Sequence, residues 1–313
     1  MSFTLTILGS SSAIPTTKRF PTAQLLNVDE RFFLIDCGEG TQIQLNRFKL
    51  RFARINHIFI SHLHGDHIFG LFGLISTLSL MGRTSDLHIY AESRLGEILK
   101  NHLGYFGEEL PFRINFIPIV PSKSKLIYED DKLTVTTIPL KHRVPVCGFL
   151  FREKPKPMNI TREAIIRYSI PVKQIPLIKA GADFTDDSGR VIPNAALTMN
   201  RFRQRSYAFI TDTRMLEKNA ALLQQVDLLY HEATFLDKDR KLAHQTFHST
   251  ASEAAQFARK CNAGKLLLGH FSVRYKSTAP FQDEARAIFP ESYVVEDGES
   301  YSVELRRETH HEG

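Results

Sequence analysis

The chain is poor in cysteine. Cys37, Cys147 and Cys261 are three thiols in 313 residues, odd in number and far apart. That excludes a disulfide framework and points to a reducing compartment, the cytoplasm. Long hydrophobic runs are also lacking. The longest, Ile68 to Leu80, is 13 residues and carries glycines and hydroxyls, whereas a bilayer-spanning helix needs about 20 apolar residues. Met1-Ser2-Phe3-Thr4 has neither the charged start nor the apolar run of a secretory signal. Internal repeats and low-complexity tracts are absent. With 42% hydrophobic and 24% charged residues, disorder, collagen and coiled coil are excluded as the main architecture. The length suits one large domain that buries about three quarters of its unfolded surface.

The charge is unevenly placed. The whole chain carries 40 Lys and Arg against 34 Asp and Glu, a net of +6. Phe151–Arg205 alone holds 11 basic and 5 acidic residues, so it contains the entire excess. The same segment contains Pro155, Pro157, Pro171, Pro176 and Pro193, which deny it a long regular element. One short helix is expected over Ile160–Tyr168. A structureless insertion of this length is often a functional arm, and a localised basic surface suits a phosphate-backbone partner.

Elsewhere strands dominate. Phe3–Leu8, Phe32–Ile35, Ile58–Ile60, Leu133–Leu140, Tyr207–Ile210, Val226–Leu229, Leu266–Leu268 and Tyr301–Leu305 read as strands. Helices are expected over Thr41 to about Arg47, Ser93–His102 and Phe281–Ile288. Another is opened by the capping box Thr250-Ala251-Ser252-Glu253 and runs to about Cys261. The pattern predicts an α/β protein of two sheets covered by outer helices.

The densest chemistry is Ser61-His62-Leu63-His64-Gly65-Asp66-His67, directly after a buried strand. His62 and His64 are two apart, so an extended chain aims both the same way. Gly65 allows a sharp bend that turns Asp66 and His67 towards a second point. Imidazole and carboxylate suit Zn²⁺, and also Mn²⁺ or Fe²⁺. Further ligands are needed, and His142, Asp212 and His270 each follow an apolar run, as His62 does. An aspartate can bridge two cations. His57, His88 and His102 lie inside elements and read as structural, and His310 and His311 fall in a tail. His231, His244 and His248 stay in play.

These residues resemble the metallo-β-lactamase superfamily, whose hallmark is His-x-His-x-Asp-His. Within it the chain resembles the ribonuclease Z family of tRNA 3′-processing endonucleases. The narrower likeness rests on Gly9–Pro15, Asp36–Gln42, His142-Arg143-Val144-Pro145, Asp212-Thr213-Arg214, His231-Glu232-Ala233-Thr234-Phe235, His248-Ser249-Thr250 and Gly269–Tyr275. The family has glycine just before its bridging aspartate, where this chain has Thr211. The resemblance implies an αβ/βα sandwich of two mixed sheets flanked by helices, residues 1–313 forming one hydrolase domain. It implies two zinc ions per subunit, one on His62, His64 and His142, the other on Asp66, His67 and His270, with Asp212 bridging. It further implies that the basic insertion, about 151–205, is a flexible arm gripping precursor tRNA, with Lys154, Lys156, Lys173 and Lys179 as candidate contacts. A homodimer is implied as well.

Phosphodiester hydrolysis needs a nucleophile, charge stabilisation and a proton for the leaving oxygen. Asp66 is placed to accept the proton of the attacking water, as proposed for the family. His248 is the candidate acid for the leaving 3′-oxygen, since a histidine near pKa 6.5 suits that task, and Glu232 is placed to orient it. Thr16, Lys18, Arg19 and Arg274 are candidate phosphate contacts. The interleaved run Arg47–Arg54 reads chiefly as a helix end with core phenylalanines. Two other functions compete: a different binuclear phosphodiesterase or arylsulfatase-like hydrolase, and a non-catalytic RNA-binding module.

Overall fold

The computed structural model describes residues 2–106, 109–199 and 202–307; His310 and His311 lie outside them. In chain order the main strands are β1 (Phe3–Gly9), β2 (Ala23–Val28), β3 (Arg31–Cys37), β4 (Ile55–Phe59), β5 (Leu87–Glu92), β6 (Ile114–Ile119), β7 (Leu126–Glu129), β8 (Leu133–Pro139), β9 (Cys147–Glu153), β10 (Ser206–Ile210), β11 (Leu228–Glu232), β12 (Lys265–Gly269), β13 (Ser292–Val294) and β14 (Ser300–Ser302). They form two seven-stranded sheets, ordered β14-β1-β2-β3-β4-β5-β6 and β13-β12-β11-β10-β9-β8-β7. Both are mixed. In the first, β1, β2 and β3 pair antiparallel and β3 to β6 parallel. In the second, β10 to β13 are parallel and β7 runs antiparallel to β8.

Central strands are buried on both faces, which makes them continuous apolar runs rather than alternating ones; β10 and β11 are buried at every position. An aromatic layer joins the sheets. Phe33 meets Phe151 with ring centroids 5.8 Å apart, Phe59 meets Phe149 at 5.5 Å, and the Tyr207 hydroxyl donates to Gln24 Oε1. On the outer side of the first sheet, Leu71, Leu74 and Leu78 of the helix Gly65–Leu80 pack with Ile58 and Ile89. On the outer side of the second, Ala254, Phe257 and Ala258 of the helix Ala251–Lys260 pack with Leu229 and Leu266. The capping box is present, Thr250 and Glu253 each bonding the other's backbone. The three cysteines are buried free thiols; burial pushes Cys37 and Cys261 up to about 12, so neither is a ready nucleophile.

The chain divides into two compact units. The larger consists of the described residues within 1–129, 134–151 and 206–303, and the smaller of those within 130–133, 152–205 and 304–313. The smaller unit corrects the expectation of a structureless insertion. It has a core of its own, formed by Ala164, Ile170, Ile178, Phe184, Ile192 and Leu197. Around it lie the short helices Arg162–Arg167 and Ile175–Lys179. Two-residue strands pair Asn159–Ile160 with Thr198–Met199, and Phe184–Thr185 with Val191–Ile192. The prolines limit element length but do not prevent collapse around six buried apolar side chains.

Two other expectations shift. The last strand is Ser300–Ser302 rather than Tyr301–Leu305, and β11 starts at Leu228 and extends three residues, Tyr230, His231 and Glu232, beyond the expected Val226–Leu229. Among the described residues, no helix is long and apolar enough to cross a membrane.

One contact positions the helix that begins at Gly65. A Cβ on Gly70 would sit 2.0 Å from the Gly38 carbonyl oxygen, so helix and β3 turn meet backbone to backbone. Gly70→Ala should therefore destabilise the protein by about 1–3 kcal/mol, the usual cost of overpacking. Urea denaturation checks this; a loss below about 0.5 kcal/mol, the range of neutral surface changes, would refute the contact.

Candidate metal centre

The predicted ligands gather where strands end. His62 and His64 follow β4, His142 follows β8, Asp212 follows β10 and His270 follows β12. Asp66 and His67 occupy the first turn of the helix Gly65–Leu80, whose N-cap is His64. The chain therefore turns by starting a helix, not by a glycine bend: Gly65 is helical, and a Cβ there would strike the Phe69 ring. Backbone strain concentrates here. Asp36, Asp212 and His270 adopt φ of 55, 43 and 61°, and Ala13 and Phe247 62 and 64°. Such conformations cost about 1–3 kcal/mol each and persist only where the surroundings enforce them.

The side chains form two sets around one carboxylate. His62 Nε2 lies 3.0 Å from His64 Nδ1 and 3.8 Å from Asp212 Oδ1. His142 Nε2 lies 3.9 Å from that same oxygen. The other oxygen, Asp212 Oδ2, is 3.1 Å from His67 Nε2 and 3.2 Å from His270 Nε2. Asp66 Oδ2 lies 3.6 and 3.5 Å from those two nitrogens. One set is thus His62, His64, His142 and Asp212, and the other Asp66, His67 and His270, with Asp212 against both.

An outer ring of hydrogen bonds fixes the tautomers. Asp36 accepts from His67 Nδ1 at 2.7 Å, from the Ser61 amide at 2.7 Å and from the Ser61 hydroxyl at 2.8 Å. Ser61 Oγ in turn lies 3.0 Å from His62 Nδ1. His142 Nδ1 donates to the Phe247 carbonyl at 3.2 Å. His270 Nδ1 donates to Thr234 Oγ1 at 2.9 Å, and that hydroxyl donates to Glu232 Oε2 at 2.6 Å. The Nδ1 atoms of His62, His67, His142 and His270 are engaged outside, so their Nε2 atoms face the centre, whereas His64 presents Nδ1. The Nε2 atoms of His67 and His270 are buried without a hydrogen-bond partner, as metal ligands would be. Thr211 Oγ1 donates to Asp212 Oδ2 at 2.8 Å, a contact that glycine at this position lacks.

The electrostatics favour a cation. Burial opposes a charge on His67, yet Asp212, Asp66 and Asp36 outweigh it and hold the imidazole well above its ordinary range. Burial likewise opposes ionisation of Asp212, but His270, His67 and His62 keep its carboxyl well below the usual carboxylate range. Asp66 is also held down, His67 and His270 overcoming burial, and the Ala13 amide donates to its Oδ2 at 2.8 Å. Ser12, Ala13, His64, Asp66, His142 and His248 help to line a cavity of about 280 Å³ over the centre.

His248 and Glu232 are brought together at its rim. His248 Nδ1 donates to Glu232 Oε1 at 2.9 Å. Glu232 is fully buried at the end of β11 and also accepts from the Thr213 and Thr234 amides. Burial lowers the pKa of His248, but Glu232, then Asp212 and Asp66, raise it to about 9, well above the 6.5 expected from sequence. The other candidates stand apart. His231 is buried and donates to the Glu232 carbonyl, His244 pairs with Glu253 at 2.6 Å, and His57 stacks on His88. Arg19 is engaged by Glu296, Ser10 and the Val295 carbonyl, so it braces the first turn rather than awaiting a phosphate. Arg274 lies over the Phe235 ring. In the smaller unit Lys173 and Lys179 are exposed, while Lys154 and Lys156 are half-buried and Lys156 Nζ is 3.8 Å from Glu153. Sequence reasoning missed the roles of Asp36, Ser61 and Thr234; the polar residues abutting His62 and closing β3 were the available signal.

A helix-flanked pair of mixed sheets with His and Asp ligands at the strand ends defines a hydrolase of the metallo-β-lactamase fold with a metal cofactor. Residues 3–154 match the family model described as anti-Pycsar protein Apyc1, and residues 157–271 that of the beta-lactamase superfamily domain. The chain is 46% identical over 302 residues to ribonuclease Z of Phocaeicola vulgatus, spanning 96% of this chain and 98% of that one. It is 47% identical over 293 residues to ribonuclease Z of Bacteroides thetaiotaomicron, spanning 94% and 93%. The crystal structure of human tRNase Z, short form, aligns with a TM-score of 0.69 at 28% identity, covering 96% and 99%. The chain belongs to the ribonuclease Z family.

The His248–Glu232 pair gives a direct prediction for the metal-free protein. His248 should titrate near 9 by NMR. Glu232→Gln removes the largest of the charges that raise it and leaves burial opposed only by Asp212 and Asp66, so the midpoint should fall clearly below 9. Because the folded pKa lies above the unfolded one, the pair's stabilisation is complete below about 6.5 and is lost as pH rises through about 9. An unmoved midpoint in Glu232→Gln would break the pairing.

Proposed function

We propose that this chain is a tRNA 3′-end endonuclease: it hydrolyses a phosphodiester of precursor tRNA, removes the 3′ trailer and leaves a 3′-hydroxyl. The observation that carries this reading is Asp212, whose two oxygens each face one set of ligands. Near-full-length identity to proteins named ribonuclease Z supports the substrate. Two Zn²⁺ per chain fit the imidazole-rich donors, with Mn²⁺ or Fe²⁺ as alternatives. His62, His64 and His142 would hold one ion, Asp66, His67 and His270 the other, and Asp212 both. When bound, such a pair supplies an activated water and charge stabilisation at the scissile phosphate.

The chain's own residues do the rest. Asp66, ionised and oriented by the Ala13 amide, accepts the proton of the attacking water. His248 carries a proton at neutral pH because Glu232 holds it, and it gives that proton to the leaving 3′-oxygen. Glu232 fixes the ring through Nδ1, leaving Nε2 for the substrate.

Residues 1–313 act as one hydrolase domain with an inserted arm at about 151–205 that binds tRNA through phosphates. Exposed Lys173 and Lys179 are the leading contacts, with Lys154 and Lys156 beside them. The protein works in the cytoplasm as a homodimer. A small-molecule phosphodiesterase or arylsulfatase would not need this basic arm.

The deciding experiment is cleavage of a precursor tRNA mapped to one nucleotide. A single cut at the 3′ end of the acceptor stem is expected, and turnover of small diesters with no tRNA cleavage would refute the reading. Elemental analysis should find about two divalent ions per chain and loss of most of them in Asp212→Ala; wild-type metal content there would sink the bridge. His248→Ala should keep its metal and lose about 10²–10⁴-fold in rate. Deleting Lys156–Ile192 should raise KM for precursor tRNA and flatten the salt dependence of binding, with kcat spared. Unchanged tRNA affinity at two salt concentrations would remove the arm from this role.

A further inference from the structure

We infer that the cavity beside His142 receives one unpaired ribonucleotide flanking the scissile phosphate, an inference that rests on the nuclease reading above. The cavity measures about 600 Å³, within the range of about 300–1,000 Å³ that holds small organic ligands and too small for a duplex. It adjoins the metal centre, since His142 and Arg143 line both this cavity and the 280 Å³ one over the ligands. A chain whose phosphate lies at the centre has this cavity as its next station.

The lining matches a nucleotide. Val120, 54% exposed, lines it with Val144 and Pro145, giving apolar surface for a base or ribose face. Lys141 and Arg143 are exposed cations lining this cavity, and Arg143 also lines the one over the ligands, which suits a neighbouring phosphate. Arg143 donates its one hydrogen bond among the described residues to the Gln245 carbonyl, at 3.4 Å. Among the described residues, Glu92 is the one carboxylate lining the cavity, and it is already held by Ser93 and Arg94, so little negative charge opposes RNA. The hydroxyls of Ser93 and Ser122 line the same space and suit base edges or a 2′-hydroxyl. An unpaired nucleotide presents all of these surfaces, whereas a paired one hides its base edges.

The test uses the metal-loaded protein and precursor tRNAs that carry an abasic site at the nucleotide on either side of the cut. In wild type, removing one of the two bases should lower kcat/KM about tenfold. Val120→Trp, which fills the cavity from an exposed position, should lower kcat/KM for intact precursor by a similar factor and should abolish the further effect of the abasic site. Lys141→Glu should act in the same direction through KM. Hydrolysis of bis(p-nitrophenyl) phosphate, measured alongside, normalises each variant for an assembled centre. Wild-type cleavage that is indifferent to both abasic sites, or an abasic effect that persists in Val120→Trp, would overturn the cavity assignment while leaving the nuclease reading intact. Absence of any tRNA cleavage by wild type would overturn both.

Discussion

A carboxylate as deeply buried as Asp212 needs positive charge against both of its oxygens, because an uncompensated buried ion costs several kcal/mol. Four imidazoles surround those oxygens: His62 and His142, which burial holds below the ordinary imidazole range, face Oδ1, and His67, which Asp212, Asp66 and Asp36 hold above it against burial, faces Oδ2 with His270. The Nδ1 atom of each ring is engaged by an outer partner, so its Nε2 atom is turned to the carboxylate, an arrangement suited to sharing cations. Much of the molecule follows from this. Strands of both sheets must end together, with the helix Gly65–Leu80 starting beside them, to bring the four histidines to one carboxylate, and the Phe33, Phe59, Phe149 and Phe151 layer joins those sheets.

The outer partners link distant segments into one support. Asp36 at the end of β3 holds Ser61 and His67. Glu232 at the end of β11 holds Thr213, Thr234 and His248, and through Thr234 it reaches His270. Asp297 holds Ser10 and the Phe20 amide, so the turn that carries Ala13 to Asp66 is fixed from the C-terminal part of the chain. Left-handed backbone at Asp36, Asp212 and His270 is tolerated because Asp and His are among the residues least penalised there.

The gathering of these His and Asp side chains and the two-sheet layering were legible in the sequence because they leave dense local signals: six-residue clustering for His62 to His67, and a polar His or Asp after an apolar run at His142, Asp212 and His270. What escaped was set by contacts between distant segments. The helix Gly65–Leu80 was hidden because its 13-residue apolar run has no clear polar face, and the sharp turn was credited to Gly65 instead. Asp36 lies 31 positions from His67, a separation at which sequence offers no geometry. Arg19 looked available because nothing in the chain around it announces Glu296. The insertion looked structureless because its apolar residues are spaced irregularly, as six side chains closing a small core without long elements must be.

The central claim is that one buried carboxylate is shared by two cation sites. Anomalous diffraction from crystals of the metal-loaded protein tests it most directly. The account predicts two peaks per chain, one against Oδ1 of Asp212 among His62, His64 and His142, the other against Oδ2 among Asp66, His67 and His270. A single peak, or a pair of peaks with Asp212 touching only one of them, would contradict it.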